Sequence, residues 1–420
     1  MVTFNIYLIF ILIVLTGSFI LDLIVERLNI KRLTTNLPAE FEGFYDSEKY
    51  AKSQLYTREG TRFGIIKSTF GLILTLGFIL LGGFNWIDQV SRGLGLSTIP
   101  TGLIFTAILV FGSQIIFMPF SIYDTFVIEE KYGFNKTTVK TFILDFLKGL
   151  LLTVIIGAPL YAMILWFFDK TGVFAWLYVW GAVTLFQLIM MYIGPVLIMP
   201  LFNKFTPLEE GELRTSIENY AREHNFKMKG VFTMDGSKRS SKSNAFFTGF
   251  GKTRRIALFD TLMGKHTVPE ILGILAHEIG HYKLKHIPKN ILLSVLTSGL
   301  MFYILSIFLN NQGLFDAFGM EHVSIYASLV FFSFLYAPIS MILGIISNVI
   351  SRSHEYQADA FAARTTGNPD SMVVALKKLS VDNLSNLTPH PLKVFLEYSH
   401  PPVLERINAI RKLSLQSTDQ

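Results

Sequence analysis

The sequence predicts a mainly α, polytopic membrane protein with seven transmembrane helices and a small β-sheet outside the bilayer. Of its 420 residues, 51% are hydrophobic and 16% are charged, whereas an ordinary globular chain has roughly 25% charged residues. Long stretches without Asp, Glu, Lys or Arg recur along the chain. The positive residues also concentrate in alternate connections between these stretches. These three observations together exclude an ordinary soluble protein.

Seven uncharged stretches come close to or exceed the ~20 apolar residues that a helix needs to cross the hydrocarbon of a bilayer. They are 4–21, 68–87, 93–123, 149–168, 171–203, 290–315 and 322–351. The first is preceded by no Lys or Arg and followed by no small-residue cleavage site. We therefore expect it to remain as an anchor rather than to be removed as a signal peptide.

The distribution of positive charge predicts the orientation, because cytoplasmic loops of membrane proteins retain Lys and Arg. If the spans alternate strictly, 35 of the 37 Lys and Arg residues lie on one side. In the short connections alone, 12 Lys and Arg residues lie on that side and 2 lie on the other. We expect the N-terminus outside and the C-terminus in the cytoplasm. The net charge of +6 is modest for this length, so nucleic-acid binding is not expected.

Two cytoplasmic segments are long enough to fold outside the bilayer. The predicted organisation has transmembrane helices 1–5 in 1–203, a cytoplasmic loop in 204–289, transmembrane helices 6 and 7 in 290–351, and a C-terminal segment in 352–420. Both long segments, 204–289 and 352–420, fall on the predicted cytoplasmic side.

Local patterns in the first cytoplasmic segment predict two helices and a small sheet. A capping box at 206–209 predicts that a helix begins there. A second box, at 267–270, predicts a helix that continues through Ile287 and is ended by Pro288. Strand-like runs lie between the two boxes, at 230–234, 244–248 and 255–259.

The second of these helices carries the sequence HEIGH, from His277 to His281. Residues four apart lie on one face of a helix, so both imidazoles can bind one metal ion. Glu278, beside the first histidine, can then act as a general base on the attacking water. About 0.01 such motifs are expected by chance in a chain of this composition. The alternative is a partly exposed helix that carries paired histidines.

A catalytic zinc site requires a third protein ligand, and the absence of Cys excludes a thiolate. His286 is out of phase with the ligand face, so we expect it to be a surface or interfacial histidine. The better candidate is Glu355, since Asp359 lies one turn further on the same face and can hydrogen-bond a ligand histidine. His354 is the alternative ligand, although it should point about 100° away from Glu355.

Further sequence runs extend this pattern over nearly the whole chain. They are 201–208, 234–241, 243–249, 352–359 and 399–406. With HEIGH and the seven spans, they make the chain resemble the integral-membrane zinc metallopeptidases of the CAAX prenyl endopeptidase type 1 family. The resemblance implies a gluzincin-like zinc peptidase subdomain and transmembrane helices that surround a large, water-filled chamber with the metal near its cytoplasmic side.

The same resemblance assigns roles to individual residues. It implies that one zinc ion is bound by His277, His281 and Glu355, that Glu278 is the catalytic base and that Asp359 supports a ligand. Further roles are implied for two pairs of residues outside the metal ligands. These are Asn244 and Ala245, which would hold the substrate backbone along an edge strand, and His400 and Arg406, which would hold the oxyanion or the geometry of the site.

The implied substrate is a peptide or protein, with CAAX-type processing of prenylated substrates as the leading hypothesis. We expect a monomer in the lipid bilayer, in either a bacterial inner membrane or the endoplasmic reticulum membrane. One alternative is a membrane quality-control metalloprotease of the heat-shock type, which shares HExxH but should be shorter. The other is a metal transporter or channel, for which few intramembrane charges are present.

Overall fold

The computed structural model describes residues 1–249 and 254–418. Its helices in chain order are Ile6–Arg32 (α1), Ser47–Leu80 (α2), Gly83–Arg92 (α3), Thr98–Glu129 (α4), Val139–Lys170 (α5), Gly172–Phe202 (α6), Glu212–Glu223 (α7), Asp260–Met263 (α8), Val268–Lys283 (α9), His286–Phe308 (α10), Gln312–Ala317 (α11), Ile325–Thr366 (α12), Pro369–Asp382 (α13), Pro391–Glu397 (α14) and Val403–Thr418 (α15).

Seven helices within the described residues, namely α1, α2, α4, α5, α6, α10 and α12, are long and apolar enough to cross a membrane. Between 0 and 17% of the most apolar window of each helix is buried inside the protein. Large apolar side chains therefore face outward, as Ile73 and Ile115 do at 65% exposure each. Because only lipid can remove such a surface from water, the chain is a multi-pass integral membrane protein.

Two of the predicted spans are divided. The helix of the second stretch ends at Leu80, Gly82 adopts a left-handed φ of 74°, and α3 then begins. Glycine takes this conformation without the steric cost of a side chain, which allows the turn inside an apolar run. The sixth stretch is likewise divided between α10 and α11. At the other end, α12 continues as one helix past residue 351 into the C-terminal segment.

A four-stranded sheet lies between α6 and α9 in the described residues. Its strands are Phe205–Pro207 (β1), Gly230–Met234 (β2), Ala245–Thr248 (β3) and Arg255–Phe259 (β4). Their order in the sheet is β1-β2-β4-β3, with β2 and β4 parallel and the other neighbours antiparallel. The three predicted strands are confirmed, and β3 lies at an edge of the sheet.

The predicted helix start at 206–209 is wrong. Thr206 and Pro207 belong to β1, which pairs with β2, and α7 begins only at Glu212. A proline is tolerated at the end of an edge strand because no neighbouring strand needs its missing N–H. Pairing with β2 therefore prevails over the local capping pattern.

The capping box at the start of α9 is confirmed. The Thr267 N–H donates to Glu270 Oε2 at 3.2 Å, and the reciprocal bond is also present. Ile271, Leu275 and Ile279 of α9 are each 1% exposed and belong to a core that includes the sheet. Packing against the sheet thus fixes the helix that carries HEIGH.

The predicted continuation of α9 through Ile287 is wrong. The helix ends at Lys283, Lys285 adopts a left-handed φ of 59°, and α10 begins at His286. Pro288 therefore lies in the first turn of a new helix instead of ending the old one. A proline suits that position because the first N–H groups of a helix have no partner within it.

The C-terminal end of α12 crosses α9 at a very short distance. A Cβ placed on Gly280 would lie 3.3 Å from Ala358 Cα and 3.1 Å from Phe361 Cδ1. Glycine thus permits the two backbones to approach more closely than any larger residue would. The crossing brings the HEIGH helix against the segment of α12 that contains Glu355.

We predict that Gly280→Leu lowers the free energy of unfolding by about 1–3 kcal/mol, because the added side chain must push the two helices apart. The control is Gly264→Leu, since a Cβ at Gly264 meets no described atom within 4 Å. Thermal unfolding of the purified protein in detergent measures both variants. Equal midpoints for the two variants would show that the crossing is not tightly packed.

Candidate metal centre

Three side chains from two helices converge at the crossing of α9 and α12. The Nε2 atoms of His277 and His281 lie 3.1 Å apart. Glu355 Oε1 lies 3.2 Å from His281 Nε2, and Oε2 lies 3.4 Å from His277 Nε2. One ligand atom from each residue lies within 4.8 Å of the other two. The structure therefore brings together the three residues predicted as metal ligands.

The spacing of these atoms fits a zinc ion. Zinc bonds of 2.0–2.1 Å in a tetrahedron place neighbouring ligand atoms roughly 3.3 Å apart, close to the separations found here. Glu355 is 5% exposed, and in the described part of the chain its Oε2 has no hydrogen-bond partner. A buried carboxylate oxygen without a donor is costly, and a divalent cation would satisfy it. The two imidazoles and the carboxylate thus match a zinc site with one open position.

The surroundings of His277 favour positive charge at this point. Asp359 Oδ1 lies 2.8 Å from His277 Nδ1. Burial alone would lower the pKa of His277, but the neighbouring carboxylates of Asp359 and Glu355 outweigh it and raise that pKa to about 9. The same arrangement fixes the ring, because an Nδ1–H donated to Asp359 directs Nε2 towards Glu355.

Arg406 of α15 neutralises the carboxylate that supports His277. Its Nε donates to Asp359 Oδ2 at 2.8 Å and its Nη2 donates to Oδ1 at 2.6 Å. Its Nη1 lies 3.4 Å from Glu355 Oε2. The side chains of Asp359 and Arg406 are only 1% and 12% exposed, so this bidentate pair lies largely out of water. The pair connects α15 to both carboxylates of the site.

His400 lies at the open side of the site, in the turn between α14 and α15. Its side chain is 66% exposed, and its Nε2 lies 3.4 Å from Glu355 Oε1. The Oγ of Ser399 lies 3.0 Å from its Nδ1. The turn is attached to α12 by Arg352, whose Nη1 donates to the Tyr398 carbonyl at 2.5 Å. A sequence-distant segment is thus brought beside the metal ligands.

Glu278 is half-buried on α9, directly after the first histidine. Asn244 precedes β3, and its Oδ1 accepts a hydrogen bond from the Ala245 N–H at 2.8 Å. Ala245 itself pairs with Leu258 of β4. The roles of Glu278, Asn244 and Ala245 in catalysis and substrate binding stay predictions.

The expectation for His286 is wrong, since this residue is 1% exposed and not a surface or interfacial side chain. Its Nδ1 lies 3.0 Å from His281 Nδ1. The prediction assumed one continuous helix, whereas the turn at Lys285 redirects His286 towards His281. Pro288, which suits a first helical turn, was the available indication of that break. His354, the alternative ligand, stacks on His286 with ring centroids 4.0 Å apart.

An HExxH pair completed by a distant glutamate on a scaffold of membrane-spanning helices defines a membrane-embedded metallopeptidase. The comparisons with known proteins agree with this class. Residues 26–204 match the family described as CAAX prenyl protease N-terminal, five membrane helices, and residues 207–414 match peptidase family M48. The chain belongs to peptidase family M48, and it is a zinc metalloendopeptidase that acts on a peptide or protein.

Similar proteins match nearly the full length of the chain. The CAAX prenyl protease 1 homolog of Oryza sativa subsp. japonica is 37% identical over 89% of this chain and 90% of its own length. The homolog of Homo sapiens is 33% identical over 91% of this chain and 90% of its own. The crystal structure of S. mikatae Ste24p aligns with a TM-score of 0.92 and 35% identity, over 97% of this chain and 100% of that one.

We predict that Arg406→Leu destabilises the protein by about 3–5 kcal/mol, because it leaves the charge of Asp359 buried without its bidentate partner and with only the His277 ring beside it. Arg406→Lys should cost less, since it keeps the charge and loses the bidentate geometry. Both variants should also bind zinc more weakly than the wild type. Thermal unfolding and competition with a zinc chelator measure the two effects.

The matched control is Arg411→Leu on the same helix. Arg411 is 51% exposed and pairs with Glu40 at 2.7 Å, so its removal should cost only ~0–1 kcal/mol. A loss for Arg406→Leu no larger than for Arg411→Leu would contradict a structural role of the buried pair.

Proposed function

We propose that this chain cleaves CAAX-type C-terminal sequences from prenylated proteins or peptides, as a monomer in the endoplasmic reticulum membrane or a bacterial inner membrane. The observation that carries the proposal is the cluster of His277, His281 and Glu355, which forms where α9 crosses the apolar helix α12. The names of similar proteins, which are CAAX prenyl protease 1 homologs, support the substrate class. One chain supplies all three ligands, which is consistent with a monomer.

The proposed orientation places the metal site on the cytoplasmic side. Alternating spans put 35 of the 37 Lys and Arg residues on that side. The same side carries α9 and the C-terminal segment with Arg406. A prenyl group anchors its protein at a membrane surface, so a metal site just outside the bilayer would meet such substrates there.

Bound zinc would supply a Lewis acid that activates water and polarises the scissile carbonyl. Glu278, next to a ligand and half-buried, would accept a proton from the attacking water and deliver it to the leaving amine. No covalent acyl-enzyme is needed for such a reaction. Asp359 fixes the orientation of the His277 ring, so the ring does not have to rotate during the reaction.

His400 would stabilise the negative charge that develops on the substrate carbonyl. If the Ser399 hydroxyl donates to its Nδ1, the proton of the ring lies on Nε2, beside Glu355. A donor at the open side of the site can reach a bound substrate. Arg406 is engaged by Asp359 and Glu355, so of its two predicted roles we favour that of holding the geometry of the site.

The edge strand β3 would bind the substrate backbone. Its inner side pairs with β4, whereas its other side is an edge in the described sheet. An extended peptide can add to such an edge through main-chain hydrogen bonds, which tolerate many side chains. Asn244 and Ala245 at the start of this strand would hold the residues nearest the scissile bond.

A cavity of about 470 Å³ with a partly polar lining lies among α6, α10 and α12. Its polar lining residues are Gln187, Asn290, Ser294, Thr297, Ser298, Tyr336, Ser340 and Ser347. Polar side chains inside apolar helices face one another or water, so the cavity favours a water-filled space within the membrane. α10 and α12 also supply His286 and Glu355, which supports a route from the cavity towards the metal site.

The test compares the wild type with Glu278→Gln on a prenylated C-terminal peptide. Glu278→Gln should still bind one zinc ion but cleave about 10²–10⁴-fold more slowly, because it lacks the general base. The same peptide without its prenyl group should have a kcat/KM more than about ten-fold lower, since burial of each CH₂ contributes ~0.8 kcal/mol. Mass spectrometry identifies the products, and elemental analysis measures the zinc.

Glu218→Gln is the control, since Glu218 is 41% exposed on α7 and pairs with Arg214. Equal rates for the wild type and Glu278→Gln would remove the proposed mechanism. Equal rates with and without the prenyl group would remove the substrate class and leave the peptidase activity.

A further inference from the structure

We propose that His286 and Gln357 are positioning residues that fix the tautomer and the ring orientation of His281, so that its Nε2 presents a lone pair to zinc. The proposal rests on the proposed use of His281 as a zinc ligand. It assigns a function to a buried histidine that lies outside the three-ligand cluster.

A continuous chain of contacts connects Gln357 to the metal ligand. Gln357 Oε1 lies 3.1 Å from His286 Nε2, and His286 Nδ1 lies 3.0 Å from His281 Nδ1. His281 Nε2 in turn lies 3.2 Å from Glu355 Oε1. Each step has the length of a hydrogen bond or of a pair of metal ligands.

The amide of Gln357 determines the direction of each hydrogen bond in this chain of contacts. The Gln357 side-chain nitrogen donates to Ser353 Oγ at 3.2 Å, which turns the amide oxygen towards His286. An amide oxygen only accepts, so His286 must carry its proton on Nε2. A neutral imidazole then has an acceptor at Nδ1, which requires the proton of His281 to lie on Nδ1. The lone pair of His281 is thereby placed on Nε2.

The position of the His286 ring is fixed from two sides. The left-handed turn at Lys285 directs the first residue of α10 towards α9. His354 stacks on His286 with an interplanar angle of 9°. His354 and Gln357 lie three residues apart on α12, so one face of that helix contacts both the face and the edge of the ring. The ring is therefore held where its Nδ1 meets His281.

The two ligand histidines differ in the partner of their Nδ1 atoms. His277 has the carboxylate of Asp359 at 2.8 Å, whereas His281 has a neutral imidazole. The carboxylates of Glu355 and Asp359 are already buried beside Arg406. A third carboxylate beside His281 would add negative charge without a described cation to balance it. A neutral acceptor orients the second ligand without that cost.

Burial of a polar ring solely to fill space would be unfavourable. His286 is 1% exposed, and an apolar side chain of the same size would avoid the cost of removing two nitrogens from water. Both nitrogens instead have partners, and one partner is a metal ligand. The arrangement is the one found for groups that orient the ligands of metal sites.

The experiment measures zinc binding by the purified, metal-depleted full-length protein with a competing chelator. His286→Phe keeps a ring to stack on His354 but removes the acceptor, so its zinc affinity should fall about 10–100-fold. His286→Asn places an amide oxygen near the position of Nδ1 and should recover most of that loss. The thermal midpoint of each metal-free protein reports separately on folding.

Cobalt provides a spectroscopic readout of the same site. The visible absorption of the cobalt-loaded His286→Phe protein should differ from that of the wild type, because the ring of His281 is no longer fixed. The spectrum of His286→Asn should resemble that of the wild type. A role in packing alone would predict the opposite ranking, since Phe fills the space better than Asn does.

A second pair of variants acts one step further from the metal. Gln357→Leu removes the acceptor for His286 Nε2, whereas Gln357→Glu keeps it. Gln357→Leu should bind zinc more weakly than Gln357→Glu. This pair decides the question if His286→Phe does not fold, and equal affinities of the two Gln357 variants would then overturn the proposal.

The outcomes separate this proposal from the metal site itself. A wild-type protein that binds no stoichiometric zinc would refute the metal site. A wild type that binds zinc with the same affinity as His286→Phe would refute only the role of His286. A His286→Asn protein as weak as a folded His286→Phe protein would also refute it, because the acceptor would then make no difference.

Discussion

The close crossing of α9 and α12 is the constraint on which the rest of the structure depends. Gly280 permits the two backbones to come together, and the helical repeat then places His277 and His281 opposite Glu355. Because α12 is one helix of 42 residues, the carboxylate that completes the site lies on the same helix as a membrane span, just beyond its end. The hydrophobic effect that places that span in lipid therefore also positions a polar site at its end. The membrane anchor and the active site therefore share one continuous helix.

The remaining polar groups compensate for placing two carboxylates where little water reaches them. Arg406 makes a bidentate pair with Asp359 and approaches Glu355, which offsets the desolvation of both. The C-terminal segment thus supplies the positive charge that balances these carboxylates. Arg352 holds the turn between α14 and α15 against α12. His400 in that turn stays exposed, which is what a group that contacts the substrate requires. Buried charges fix the geometry of the site, and an exposed histidine lies beside it.

Much of this architecture follows from periodicity and charge alone. The apolar stretches predicted the spans, and the four-residue spacing of HEIGH placed its two histidines on one face. The convergence of Glu355 could be proposed from its one-turn spacing to Asp359, although only the fold places it beside α9. The burial of His286 beside His281 was missed because one left-handed residue, Lys285, redirects the chain. The contacts of Arg406 depend on tertiary packing. Local sequence patterns therefore predict helices and strands, and long-range contacts determine which side chains come together at their ends.

X-ray absorption and anomalous diffraction at the zinc edge test the central claim most directly. We predict one zinc ion per chain, within roughly 2.0–2.2 Å of His277 Nε2, His281 Nε2 and one Glu355 oxygen, with a further position open to water. Zinc bound elsewhere, or bound to the histidine pair with Glu355 beyond coordination distance, would contradict the account. In either case the crossing of α9 and α12 would organise a helical membrane protein, but not the active site described above.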